Sequence, residues 1–87
     1  MKVSKAGKIW LDYHRAHSKA ETVRAYEWIM TKFCEEFGET DLDGISSDGV
    51  LDFMNHLTDG KKAQTKRVRF SHLNAFCLFQ LHQKQYR

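Results

Sequence analysis

GKKAQTKRVRFSHLNAFCLFQLHQKQY, residues 60–86, joins a basic head to an apolar body in one run. Lys61, Lys62, Lys66, Arg67 and Arg69 crowd its first turns, and Phe70, Leu73, Ala75, Phe76, Cys77, Leu78, Phe79 and Leu81 fill the rest. The run has no proline and no glycine after Gly60, and its apolar residues recur at three and four. It therefore reads as one long helix from Gly60 to Tyr86 rather than as strands. At about 100° per residue, the apolar positions from Val68 onward cover more than half the circumference, leaving Arg67, Ser71 and Asn74 on a polar strip. Such a helix has to be enclosed by others, which points to an all-α bundle.

Working outward from it, the preceding stretch Thr58-Asp59-Gly60 is a chain break. Before the break, Val50, Leu51, Phe53, Met54 and Leu57 give a short third helix, capped by Ser46 or Ser47, with Asp48 and Asp52 near its positive end. The acidic segment 39–45 is too short for an interdomain linker, and Leu42 and Ile45 read as plugs tying it to the core. Further back, Val23, Tyr26, Ile29, Met30, Phe33 and Phe37 mark the second helix. Ser18-Lys19-Ala20-Glu21 has the form of a capping box that starts it at Ser18, and Gly38 is expected to stop it with a positive φ. The first helix runs from about Lys2 to Ala16 on Val3, Ala6, Ile9, Trp10, Tyr13 and Ala16, with Trp10 as anchor and Gly7 costing about 1 kcal/mol in helix propensity. Leu73, Phe76, Tyr26, Ile29, Phe33 and Phe53 are expected to meet in one core.

Composition narrows the functional class. The chain has 87 residues, room for one domain with a single core but not for a cleft between lobes. Its 11 aromatic residues (2 Trp, 3 Tyr and 6 Phe) and 29% charged residues argue for a folded domain rather than disorder. The net charge of +3 is mild, but its layout is not: 35–59 holds eight acidic residues and no Lys or Arg, while 60–87 holds seven Lys or Arg and no acid. That separation can orient a domain on a polyanion. Lys62, Lys66 and Arg69 fall on one side at spacings of four and three, near a helix start whose free N–H groups also favour an anion. Lys19, Thr22 and Arg24 offer a second set of phosphate contacts at the start of the second helix.

Cys34 and Cys77 lie within apolar helical patterns without metal-ligand spacing, so both read as buried thiols in a reducing, cytoplasmic setting. His14 and His17 read as surface histidines, no metal or other cofactor is implied, and no run approaches the ~20 apolar residues of a membrane span.

The side chains in order resemble the core-binding domain, the SAM-like N-terminal domain, of tyrosine recombinases of the phage integrase family. The resemblance is carried by Trp10 in the first helix and by Ser18, Thr22, Tyr26, Phe33 and Phe37 in the second. It continues through Leu42, Ile45 and Ser46 at the capped turn, Val50, Phe53 and Leu57 in the third helix, and Thr65, Leu73 and Phe76 in the fourth. Cys77 departs from it where a second aromatic is usual. It implies a small orthogonal bundle of four to five helices that clamps one face of double-stranded DNA with its second and fourth helices. Carried onto this chain, the implied DNA-binding residues are Ser18, Lys19, Thr22, Arg24, Lys61, Lys62, Gln64, Thr65, Lys66 and Arg69. The resemblance also implies a catalytic domain of the same parent chain, expected downstream of Arg87, and other recombinase protomers as partners. Residues 1–87 are then a single non-catalytic module, since Tyr13, Tyr26 and Tyr86 lack the surrounding Arg and His cluster. Leu78, Leu81 and Tyr86 are expected to leave apolar surface for that domain to cover. Two alternatives stand beside this reading: a helix-turn-helix transcription regulator, and a protein-interaction bundle using exposed Leu78 and Trp28.

Overall fold

The fold follows from a computed structural model, which describes the backbone of residues 1–85 and the side chains of residues 1–80. Four helices follow one another: α1 (Val3–His17), α2 (Ala20–Phe37), α3 (Ser47–Leu57) and α4 (Ala63–Gln85), with a single 3₁₀ turn at Leu42–Gly44 between α2 and α3. Among the described residues there is no strand, only an isolated antiparallel bridge between Lys2 and Asp41. The all-α bundle expected from residues 60–86 is therefore present.

One core holds it together. Val3, Ala6 and Trp10 of α1, Ile29, Met30 and Phe33 of α2, Phe53 and Met54 of α3, and Leu73 and Phe76 of α4 are buried, with Tyr26, Leu42 and Ile45 packed against them. Trp10 stacks on Tyr26 at 4.4 Å and meets the edge of Phe76 at 5.3 Å. Phe33 meets Phe53 at 5.1 Å and Phe76 at 6.3 Å, so α2 is the element through which α3 and α4 share a core. Offset and edge-to-face rings add to what area burial alone contributes.

Several local expectations are corrected. On α1 the inward face is Val3, Ala6, Gly7 and Trp10, whereas Ile9 and Tyr13 are 43% and 47% exposed and Ala16 is exposed. Gly7 leaves the space that Met30 of α2 fills, so it serves the packing and does not merely weaken the helix. His14 is half-buried, not a surface residue, with its ring edge-on to Trp10 at 5.3 Å and to Tyr26 at 4.8 Å. Leu51 on α3 is 49% exposed.

The capping box does not form. Ser18 is the C-cap of α1, its N–H donating to the His14 carbonyl at 2.8 Å, and Lys19 occupies the N-cap position of α2 with no side-chain hydrogen bond. A capping box requires Glu at the third helical position, and with α2 starting at Ala20, Glu21 is only the second. Gly38 is right-handed, at φ −54° and ψ −38°. What stops α2 is pairing with the chain's first residues: Ser4 N–H donates to the Gly38 carbonyl at 3.1 Å, Val3 N–H to Thr40 at 3.0 Å, and Leu42 N–H to Met1 at 2.8 Å.

Ser46 is the cap of α3, its Oγ accepting from Gly49 N–H at 3.0 Å. The break before α4 is made by Gly60, the one residue with positive φ among those described, at +75°. Because the helix begins only at Ala63, Lys61 and Lys62 precede it rather than standing on its first turn. The carbonyl of Lys62 accepts the Lys66 N–H at 3.0 Å, and Lys61 N–H donates to Thr58 at 3.0 Å.

Enclosure of α4 is partial. Val68 and Leu78 are 45% and 55% exposed, Cys77 is exposed and Cys34 only half-buried, so the two thiols are not the buried pair the sequence suggested. Leu78 bears out the expected apolar surface, and the side chains of Leu81 and Tyr86 lie outside the described residues. Among the described residues, no helix is long and apolar enough to cross a membrane.

Candidate nucleic-acid interface

The N-terminal halves of α2 and α4 lie side by side and leave a groove of 570 Å³ between them. From α2 it is lined by Arg24, Ala25 and Trp28, which a spacing of three and four places on one face. From α4 and the link before it come Lys62, Gln64, Thr65, Val68, Arg69 and His72. Two segments about 40 residues apart in sequence thus bring three cations and two neutral polar side chains to one concave surface.

No carboxylate lines this groove. The ion pairs among the described residues use the amino terminus, Lys2, Lys8, Arg15 and Lys32, and none of them uses Lys19, Arg24, Lys61, Lys62, Lys66 or Arg69. Glu27, the carboxylate one turn beyond Arg24, is taken by Arg15 at 2.7 Å. Among the described residues the cations at this end therefore have no ion-pair partner.

The acids gather toward the other end. α3 begins where Ser46 and Ser47 share a second groove of 440 Å³ with Cys77 and Gln80 of α4, so Asp48 lies by the far half of α4. From Lys66 to Gln80 that half is about 21 Å along the helix. Glu39 and Asp41 sit at the C-terminal end of α2, paired with Lys2 at 2.7 Å and with the amino terminus at 2.8 Å. Asp59, exposed on the link beside Lys61, and Glu21, exposed in the first turn of α2, are the exceptions.

Of the ten residues selected in the sequence, Arg24, Lys62, Gln64, Thr65 and Arg69 line the groove. Lys61 and Lys66 are exposed on the link and on the first turn of α4, and Lys19 is exposed at the start of α2. Thr22 is half-buried in the first turn of α2. Ser18 stands apart: it is half-buried, and its Oγ shares a hydrogen bond of 2.6 Å with His14 Nδ1, so its side chain is already engaged inside the fold.

Four groove-lining residues, Ala25, Trp28, Val68 and His72, were not assigned to this surface from the sequence. Trp28 forms its wall, and the Arg69 guanidinium lies over the indole with its central carbon 3.5 Å from the ring centroid, a cation–π contact. His72 meets Tyr26 edge-on at 5.3 Å, and its Nδ1 is buried without a hydrogen-bond partner. Burial, and then the charge of Arg69, hold its pKa below the usual histidine value. The available signal was spacing, since Trp28 is four residues from Arg24 and His72 three from Arg69.

The second groove differs in chemistry. Phe33, Leu42, Ile45, Val50 and Phe76 give it an apolar wall, and no charged side chain lines it. Among the described residues no cluster of His, Cys, Asp and Glu suits a metal ion. No protein-family model, curated protein or solved structure matches this chain.

Proposed function

We propose that this chain is a double-stranded DNA-binding module of the tyrosine-recombinase kind, which grips a duplex with the groove between α2 and α4. The observation that carries the reading is the convergence of Arg24, Lys62 and Arg69, without ion-pair partners among the described residues, on one concave surface free of carboxylates. Cations arranged this way follow a phosphate backbone, and the hydroxyl of Thr65 and the amide of Gln64 add neutral hydrogen-bonding groups between them. Lys61, Lys66 and Lys19 extend the positive surface beyond the groove, whereas Glu39, Asp41 and Asp48 at the opposite end face away from the duplex.

In this reading the module is itself non-catalytic and works in the cytoplasm. It positions DNA for a catalytic domain of the same parent protein and for other protomers bound at the site. A helix-turn-helix regulator would carry a short recognition helix after a tight turn; here the link 58–62 leads into a helix of 23 residues, which counts against that alternative.

Fluorescence anisotropy with a random-sequence duplex over a series of salt concentrations tests the proposal. Neutralising roughly four to six phosphates gives a slope of log K against log salt near −4 to −5. Lys62→Ala and Lys66→Ala should each lower its magnitude by about one. Lys2→Ala is the control, because Lys2 lies at the C-terminal end of α2, about 20 Å along the helix from Arg24. Affinity that ignores salt would refute the proposal, as would equal losses in all three variants.

A further inference from the structure

Among the cations of the basic end, Arg69 is held differently from the rest. Lys61, Lys62, Lys66 and Arg67 are exposed, whereas Arg69 is half-buried, with its guanidinium over Trp28 at 3.5 Å. A contact to phosphate needs only a charge within reach, which a mobile lysine supplies. A bidentate contact to a base edge needs a planar fork held in a fixed plane.

The stack on Trp28 provides that restraint. All five N–H bonds of a guanidinium lie in its plane, so a ring against its face fixes the plane without using a single donor. Among the described residues no side-chain hydrogen bond or ion pair engages Arg69, so its N–H donors are unspent within the fold while the residue lines the groove. Arg24 and Lys62 line the same groove and supply charges for phosphates.

We propose that Arg69, oriented by Trp28, reads guanine through its O6 and N7 in the major groove, giving the module a G·C preference on top of backbone binding. This inference rests on the DNA-binding reading above. Trp28 acts as a positioning residue: it contacts no base and sets the plane in which Arg69 presents its donors.

The test uses the full chain and four short fluorescent duplexes that are alike except in base identity: alternating G·C, alternating A·T, inosine·C and 7-deazaguanine·C. Inosine keeps O6 and N7 but lacks the minor-groove amino group, and 7-deazaguanine lacks N7. The G·C and inosine·C duplexes should bind alike, about 5- to 150-fold more tightly than A·T, with 7-deazaguanine·C falling toward A·T. Arg69→Lys keeps the charge, so it should hold the salt slope while losing the preference. Trp28→Leu, which removes no charge, should shrink the preference as well. Trp28 is 38% exposed, and circular dichroism is the check that each variant is folded. Where Trp28→Leu fails to fold, the base analogues and Arg69→Lys decide by themselves. Equal, salt-dependent affinity for all four duplexes would overturn the guanine reading and leave the DNA-binding one intact. A preference that survives in Arg69→Lys, or one lost with inosine, would also overturn it. No binding to any duplex would overturn both.

Discussion

A Cβ placed on Gly7 of α1 would stand 2.7 Å from the Met30 sulfur and 2.8 Å from its Cγ on α2. Met30 of α2 occupies the space a side chain at this position would need, so its packing depends on the missing side chain. By helix propensity alone, Gly7→Ala should stabilise α1 by up to about 1 kcal/mol. Met30 is 3% exposed and has little room to withdraw, so overpacking of about 1–3 kcal/mol should outweigh that gain. The variant should melt below the wild type in a thermal scan, and a higher melting temperature would show that Met30 repacks freely.

Ser46 and Ser18 are predicted to respond differently to alanine. Ser46→Ala removes the acceptor for Gly49 N–H and should destabilise by about 0.5–2 kcal/mol in urea titrations. Ser18→Ala leaves the start of α2 untouched and removes only the hydrogen bond to His14, so its signature is a change in the His14 titration followed by NMR. An undisturbed His14 titration in that variant would contradict the bond.

Phe76 is 1% exposed and joins Trp10 to Phe33. Phe76→Ala combines lost burial with a cavity and should cost about 3–5 kcal/mol, enough to unfold much of a population of so small a domain at ambient temperature. Thermal stability equal to that of the wild type would place the side chain outside the core.

Stability should fall as the solution is acidified through the histidine range. Burial, then His17, hold the pKa of His14 below its usual value; burial, then Arg69, do the same for His72. A depressed histidine binds its proton less readily in the folded chain than in the unfolded one. Below about pH 6.5 the unfolded chain therefore takes up more protons, and stability present above that pH is progressively lost. Urea midpoints should be lower near pH 5.5 than near pH 8, and the difference should shrink in the His14→Gln/His72→Gln double variant. Asp12, held low by a hydrogen bond from Lys8, and Glu39, held low by one from Lys2, act separately, losing their contribution only as pH falls through the carboxylate range near 4. A urea midpoint that does not change between pH 8 and 5.5 would count against the buried settings of both rings.

Spacing alone determined the class and most of the core. Apolar residues at three and four, with no proline anywhere, leave helices as the regular structure that can bury them. Trp10, Ile29, Phe33, Phe53, Leu73 and Phe76 then stand inward because each lies on the stripe its helix turns toward its neighbours. The cations at the start of α4 were legible in the same way, since a local charge run needs no partner to be seen. Only the tertiary structure decided where α2 begins and ends. A shift of one residue turns Ser18 from the N-cap of α2 into the C-cap of α1, and Gly38 stays right-handed because Val3 and Ser4 draw the chain off the helix. The pairing of Trp28 with Arg69 belongs to the same kind. Its members lie 41 residues apart, and although spacing puts Trp28 on the face of Arg24, periodicity within one helix does not say which residue of another helix it meets.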